Sequence, residues 1–189
     1  SWQNIFQEEF LSQLSQVLPG YLKKCRWFGA KGKTIRRVKV ADIISISEGN
    51  DFSHLLLIEV SYIGAQKQTY MLSISFADKK KALEISRQHP DGVICQARLK
   101  EGDGIIYDGI YNEEVRKKIF EIIVKRRTVK SSCSKLIGQS SKTVKKLSEE
   151  DQKGLHSRVL KGEQSNSSVL YQDKYFLKLY RRLETGINP

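Results

Sequence analysis

The residues with the clearest chemical potential lie together in GEQSNSSVLYQDKYFLKLYRRLETGINP, from Gly162 to Pro189. A site that holds nucleotide phosphates needs closely spaced donors, little side-chain bulk and a nearby cation. Gly162, Ser165, Asn166, Ser167 and Ser168 supply small residues with hydroxyl, amide and backbone N–H donors. Val169-Leu170-Tyr171 reads as a strand, Gln172-Asp173-Lys174 as a tight turn and Tyr175–Tyr180 as a returning strand. Alternation puts Tyr175, Leu177 and Leu179 on one face and Phe176, Lys178 and Tyr180 on the other. An antiparallel return brings Lys178 back beside the Ser/Asn loop, where its ammonium can meet phosphate oxygens as a point charge. The same residues also describe an ordinary surface loop and a solvated edge-strand lysine. There is no Walker A pattern and no GxGxxG, and the Glu163 carboxylate would repel phosphates unless it points away. Spacing alone leaves both readings open.

Several elements must position this hairpin. Ile5, Phe6, Phe10, Leu14, Val17 and Leu18 recur at helical spacing, which predicts an amphipathic helix over Trp2–Leu18 ended by Pro19-Gly20. CRWFGAKGKTI is an aromatic–glycine loop that leads into the strand-like RRVKVADIISI, with a turn at Gly49-Asn50-Asp51. HLLLIEVSYI and TYMLSISFA read as a hairpin joined through Gly64-Ala65-Gln66-Lys67-Gln68. Lys79–Gln88 is a short helix or loop, HPDG a turn and VICQARL a strand. GIIYDG enters a helix capped by Asn112, with Glu113 and Glu114 complementing its dipole. From Thr128 to Gly154 the composition shifts to Ser, Lys and Gln, which reads as a linker with a short strand near Ser134–Ile137.

Composition narrows the class of protein. The 189 residues, 39% apolar and 29% charged, are enough to bury a real core. No apolar run approaches the ~20 residues that span a bilayer, and no signal-peptide pattern is present, since Glu8 and Glu9 replace a basic start. The first residue, Ser1, suggests a processed segment, and the cytoplasm is the expected compartment. Cys25, Cys95 and Cys133 are odd in number and far apart, so neither a zinc site nor a disulfide framework is expected. The net charge is +12, and Val115–Lys146 carries eleven Lys/Arg against one acid, Glu121. That run could bind a polyanion or form a solvated helix face and basic loop. Aromatics are not interleaved with it in a stacking pattern, which argues against nucleic acid.

The exact residues add a resemblance. GEQSNSS, the lysine of FLKLYRRL and the terminal ETGINP closely resemble maltokinases, including the maltokinase half of trehalose synthase–maltokinase fusions. RWFGAKGKTI at Arg26–Ile35 resembles the signature of the same family's N-terminal cap domain, with Ala30 where a second Gly is commoner. Tyr107-Asp108-Gly109 resembles its short aromatic-Asp-small element. The resemblance implies an α+β fold, with a small antiparallel or mixed β-sheet cap domain and flanking helices. The first β-hairpin of a protein-kinase-like N-lobe would follow. The expected division is a cap over residues 1–127, a basic Ser/Lys-rich linker over 128–154 and the start of the N-lobe over 155–189.

The resemblance further implies an ATP-dependent, Mg²⁺-dependent maltokinase, which converts maltose to maltose 1-phosphate. Gln164, Ser165, Asn166, Ser167 and Ser168 would cover the phosphates, and Lys178 would grip them. Kinase-like transfer also needs an Asp for the attacking hydroxyl and ligands for Mg²⁺. In the family these lie on HGD-type and Asp-bearing loops of a C-terminal lobe. His54, His89 and His156 have no such context, and Asp42, Asp108 and Asp151 read as isolated caps or surface residues. No catalytic or metal residue is therefore expected in this chain, which would be inactive alone. The implied partners are maltose or a similar sugar, the kinase C-lobe missing beyond Pro189, and a fused or associated trehalose synthase domain. Related acceptors, such as another sugar or an amino sugar, stay open, as does a noncatalytic basic binding module. Trp27 and Phe28 either plug the core beneath the cap sheet or form a gate facing the catalytic lobe. The lone hairpin would be marginal by itself, so it is expected to lean on the first domain, or to be distorted or exchanged between chains.

Overall fold

A computed structural model describes residues 7–46, 53–99, 102–140, 155–160, 165–184 and 186. The fold is α+β, and its sheets are antiparallel. Helix α1 (Glu8–Lys24) presents Leu14, Leu18, Tyr21 and Leu22 to the core at helical spacing. It does not stop at Pro19-Gly20 as the sequence predicts. An interior proline costs roughly 3 kcal/mol by removing a hydrogen bond and crowding the preceding turn. Burial of Leu18, Tyr21 and Leu22, with exposures of 0, 4 and 0%, outweighs that cost and carries the helix to Lys24. The predicted start at Trp2 and the turn at Gly49–Asp51 lie outside the described residues.

The large sheet contains β1 (Ile35–Ser45), β2 (Ser53–Tyr62), β3 (Ala65–Asp78), β4 (Val93–Leu99) and β5 (Gly102–Asp108), in the order β1-β2-β3-β5-β4. The β2–β3 connection is shorter than predicted. Ala65–Gln68 belongs to β3, and the turn is Ile63-Gly64, with Gly64 at φ 70°. Period-two alternation sends Leu56, Ile58, Val60, Tyr70, Leu72 and Ile74 to the α1 face. Trp27 and Phe28 join that core at 9 and 1% exposure, their rings 6.1 and 5.2 Å from Tyr70, which favours the plug over the gate.

A register shift between Val40 and Asp42 lets β1 serve both faces: Val38 faces α1, while Ile44 joins Leu55 on the opposite side. There it meets Val115, Ile119 and Ile122 of α3 (Glu113–Val124). The helix starts as predicted, with the Asn112 side chain accepting from the Glu114 N–H at 3.0 Å. Helix α2 (Lys79–Gln88) joins β3 to β4, and the Asp78 carboxylate caps it.

The stretch read as a linker is partly structured. β6 (Thr128–Lys130) and β7 (Lys135–Ile137) pair, and Val129 and Leu136 pack on the Ile44–Leu55 cluster. Ser131, Ser132 and Ser134 in their turn donate to Asp42. Burial alone would raise the Asp42 carboxyl, but these bonds and the Ile43 N–H hold it below its usual value.

A second sheet orders β10 (Tyr175–Tyr180), β9 (Asn166–Tyr171) and β8 (Ser157–Val159). Its inner face packs Val169, Tyr171 and Leu179 against Phe120 of α3 and Ile110. Among the described residues the hairpin pairs regularly and leans on α3 and Ile110, without the distortion its small size suggested. β11 (Arg182–Leu183) then pairs with Tyr70 and Thr69, so the chain passes directly from the small sheet into the large one. Among the described residues no helix is long and apolar enough to cross a membrane.

The core also buries His54 on β2, and burial pushes its imidazole down to about 4. Its unfolded value lies near ~6.5, so protonation favours the unfolded chain. Its contribution is complete above about pH 6.5 and is lost as pH falls toward the folded value. Wild type should lose roughly 2 kcal/mol from this group between about pH 6.5 and 5. Urea denaturation of His54→Gln at the two pH values should show a smaller loss; an equal loss would remove His54 as the cause.

Candidate functional site

Strand β10 alternates as the sequence predicts. Tyr175, Leu177 and Leu179 turn inward, while Phe176, Lys178 and Tyr180 face out. Cross-strand register places Lys178 opposite Ser168 and Tyr180 opposite Asn166, so all four share the outer face. The Lys178 Nζ lies 5.6 Å from the Tyr180 ring centroid. On the strand opposite, the Ser168 hydroxyl is fully buried, with no hydrogen-bond partner among the described residues. The Leu160 N–H donates to the Ser168 carbonyl at 2.9 Å, which ties β8 to β9 where their GEQS connection begins.

The predicted set is therefore brought together in part. Asn166, Ser168 and Lys178 share a face, and exposed Ser165 precedes them, donated to by the Asn166 amide at 3.1 Å. Ser167 is different, because alternation turns it inward. Gln164 and Glu163 lie outside the described residues.

What Ser167 meets inside is the feature that sequence reasoning missed. Its hydroxyl accepts from Arg181 Nε at 3.0 Å, and the Arg181 Nη2 donates to Asp108 Oδ2 at 2.7 Å. The side chains of this ion pair are 0 and 2% exposed. Asp108 Oδ1 accepts from the Ser73 hydroxyl at 2.6 Å and from the Ile110 N–H at 3.1 Å, and Tyr21 donates to Oδ2 at 3.4 Å. The Trp27 ring lies 5.0 Å from the Arg181 guanidinium carbon. Burial, and then the Asp108 charge, push the Tyr21 hydroxyl well above its usual value, so it stays a neutral donor. The Arg181 carbonyl accepts from the Met71 N–H at 2.7 Å. One residue thus bonds to the large sheet through both its backbone and its side chain.

Three readings need correction. Asp108 is not an isolated surface residue or a simple cap, because an arginine buried nearby requires its charge. Asp42 is buried at 7% and held by the Ser131–Ser134 turn. Arg116, counted in the basic run, is also buried, with its guanidinium bonded to Ile110 and Ser157 carbonyls and the Ser157 hydroxyl. Asp151 lies outside the described residues. A signal for the main pair was present. Extending the β10 alternation puts Arg181 on the Leu177–Leu179 side, and a buried arginine calls for a carboxylate within an apolar run such as GIIYDGI.

The other titratable groups have structural surroundings. His89 stacks on Tyr111 at 4.3 Å, and His156 Nδ1 lies 3.7 Å from Glu113. Burial pushes the Cys25 thiol up to about 12. Among the described residues, no three His, Cys, Asp or Glu side chains converge as metal ligands. A cleft of about 340 Å³ lies between the sheets, lined in part by Arg26, Trp27, His89, Asp108, Tyr111 and Asn166.

Residues 21–111 match the family model of the maltokinase N-terminal cap domain. The match spans the Trp27–Phe28 plug and extends to Tyr111, just past Asp108.

The buried pair should behave unlike the exposed ones. Asp108→Asn leaves the Arg181 charge without its counterion, and urea denaturation should show a loss of about 3–5 kcal/mol. Asp103→Asn, which breaks the exposed Arg98–Asp103 pair at 3.2 Å, should cost under about 1 kcal/mol. Equal small losses would show that Asp108 is not needed to balance Arg181.

Proposed function

From the match of residues 21–111 to the maltokinase N-terminal cap domain, we propose that this chain forms the cap and nucleotide-facing lobe of an ATP-dependent maltokinase. The observation that carries the reading is the outward placement of Lys178 directly opposite Ser168, on the strand that follows GEQ in the sequence. An outward lysine opposite a buried hydroxyl that has no partner among the described residues is a donor set that a polyphosphate would complete. Lys178 would bind phosphate oxygens, with Ser165, Asn166 and Ser168 as neighbouring donors and Gln164 as a further one. Phe176 and Tyr180, 55 and 39% exposed, would give the same face an apolar surface for a base or an apposed lobe.

ATP supplies the transferred phosphoryl group when bound, with Mg²⁺. The residues of this chain contribute positioning and charge, which dominate catalysis in this class of reaction. Lys178 neutralises phosphate charge from a strand fixed on its inner side by Leu177 and Leu179. Ser167 contributes through Arg181 rather than by a hydroxyl turned to the nucleotide. The hydroxyl-activating carboxylate, the Mg²⁺ ligands and the maltose pocket belong to a C-terminal lobe in this reading, and the product is maltose 1-phosphate.

In the full-length protein, Lys178→Ala should fold normally and lower ATP-dependent maltose phosphorylation on the order of 100-fold, as loss of one transition-state donor does. Circular dichroism and steady-state kinetics test both halves. Wild-type turnover in a folded Lys178→Ala enzyme would remove the lysine from this role, and a panel of sugars would test the acceptor.

A further inference from the structure

We infer that Arg181 is a positioning residue for nucleotide binding, through which the cap sets the pose of both the Lys178 strand and the strand that follows the GEQS connection. The inference rests on the preceding assignment of Lys178 and its neighbours, and goes beyond it by giving the cap domain a part in the nucleotide site.

The geometry is specific. Arg181 ends the β10 run three residues after Lys178, and its guanidinium reaches back to Ser167, the neighbour of Ser168 on β9. The arginine therefore ties the end of its own strand, β10, to β9 at the end that carries both candidate phosphate contacts. The other side of the fork is fixed to the cap: Asp108 takes Nη2 at 2.7 Å, and Trp27 lies along the guanidinium. Asp108 is in turn held by Ser73 of β3, by Tyr21 of α1 and by the Ile110 N–H. Its carboxylate cannot follow a moving arginine without breaking bonds to three other elements.

Stability alone does not call for such a device. A buried ion pair is at best weakly favourable against apolar residues of similar volume. A leucine at this position would continue the Leu177–Leu179 pattern. What the guanidinium provides and an aliphatic side chain cannot is direction, because its donors fix the angle and separation of the groups they bridge. Nucleotide sites depend on such fixing, since an error of about 1 Å in donor placement can cost on the order of 100-fold. Ser167 has no outward role to obscure the effect, as its hydroxyl points away from the Lys178 face.

The test uses the full-length protein with Ser167→Ala, Ser167→Thr, Arg181→Lys and Lys178→Ala. Thermal midpoint, calorimetric ATP affinity, and KM values for ATP and maltose are measured on each. Ser167→Ala removes one charge-assisted bond, so it should weaken ATP binding about tenfold to a hundredfold and leave the KM for maltose unchanged. Ser167→Thr keeps the hydroxyl and should restore most of the affinity. Arg181→Lys keeps the charge without the fork, and should resemble Ser167→Ala if it folds; if it does not fold, the serine pair decides. A folded Ser167→Ala protein with wild-type ATP affinity would overturn the inference, even with a lowered thermal midpoint, because the network would then be structural only. Weakened binding in Lys178→Ala beside unchanged binding in Ser167→Ala would sink the positioning role and spare the nucleotide assignment. Unchanged binding in Lys178→Ala would sink the assignment, and the inference with it.

Discussion

A guanidinium cannot shed its charge inside a protein, so burying Arg181 obliges the chain to bring a carboxylate to it and to hold that carboxylate still. Much of the architecture follows from that obligation. Asp108 must end β5 where the chain bends into the next turn, so that the Ile110 N–H can close on Oδ1. Ser73 must point to the same side of β3, and α1 must run past Pro19 to deliver Tyr21. Trp27 then covers the guanidinium. Each of these groups comes from a different part of the sequence, and their meeting defines the junction between the two sheets.

β3 is the strand that makes the junction continuous. One edge pairs with β2, and the other is shared end to end by β11 at Thr69–Tyr70 and β5 at Ile74–Asp78. The Lys178 strand therefore enters the cap sheet after only Arg181 intervenes. The lower end of the small sheet is fastened separately, with Tyr171 donating to the Arg116 carbonyl at 2.9 Å and Arg116 holding Ser157. The cap and the Lys178 lobe thus share hydrogen bonds, an ion pair and an apolar cluster around Phe120. Such an arrangement couples the two sheets by direct contacts, unlike two domains joined by a loose tether.

The sequence was most legible where a single periodicity ruled. Alternation in β10 and β9, the Asn112 cap and the strand character of VICQARL all follow from local chemistry and recur in the fold. It was least legible where distant contacts overrode local preference. Pro19 ends a helix by propensity, yet the helix passes through it because Tyr21 and Leu22 are needed in the core. Ser131–Ser134 reads as linker composition, but Asp42 and the apolar side of the β6–β7 hairpin recruit it. In the candidate site, the outward lysine and Ser168 on the same face were readable, while Ser167, read with them, turns inward. Alternation could turn Arg181 inward, but its pairing with Asp108 was not readable, because that requires joining residue 108 to residue 181 before the fold is known.

The β11–β3 pairing also has a consequence for synthesis of the chain. Thr69, Tyr70 and Met71 are made well before the Arg181–Leu183 segment, whose backbone satisfies this edge. Until then a central strand of the sheet presents open N–H and carbonyl groups beside apolar side chains, which is the pattern that invites pairing with other chains. The nascent sheet thus has a vulnerable interval whose end is set by translation reaching its last short strand. Completion of the cap is a late event, linked in time to the making of the lysine strand that it supports.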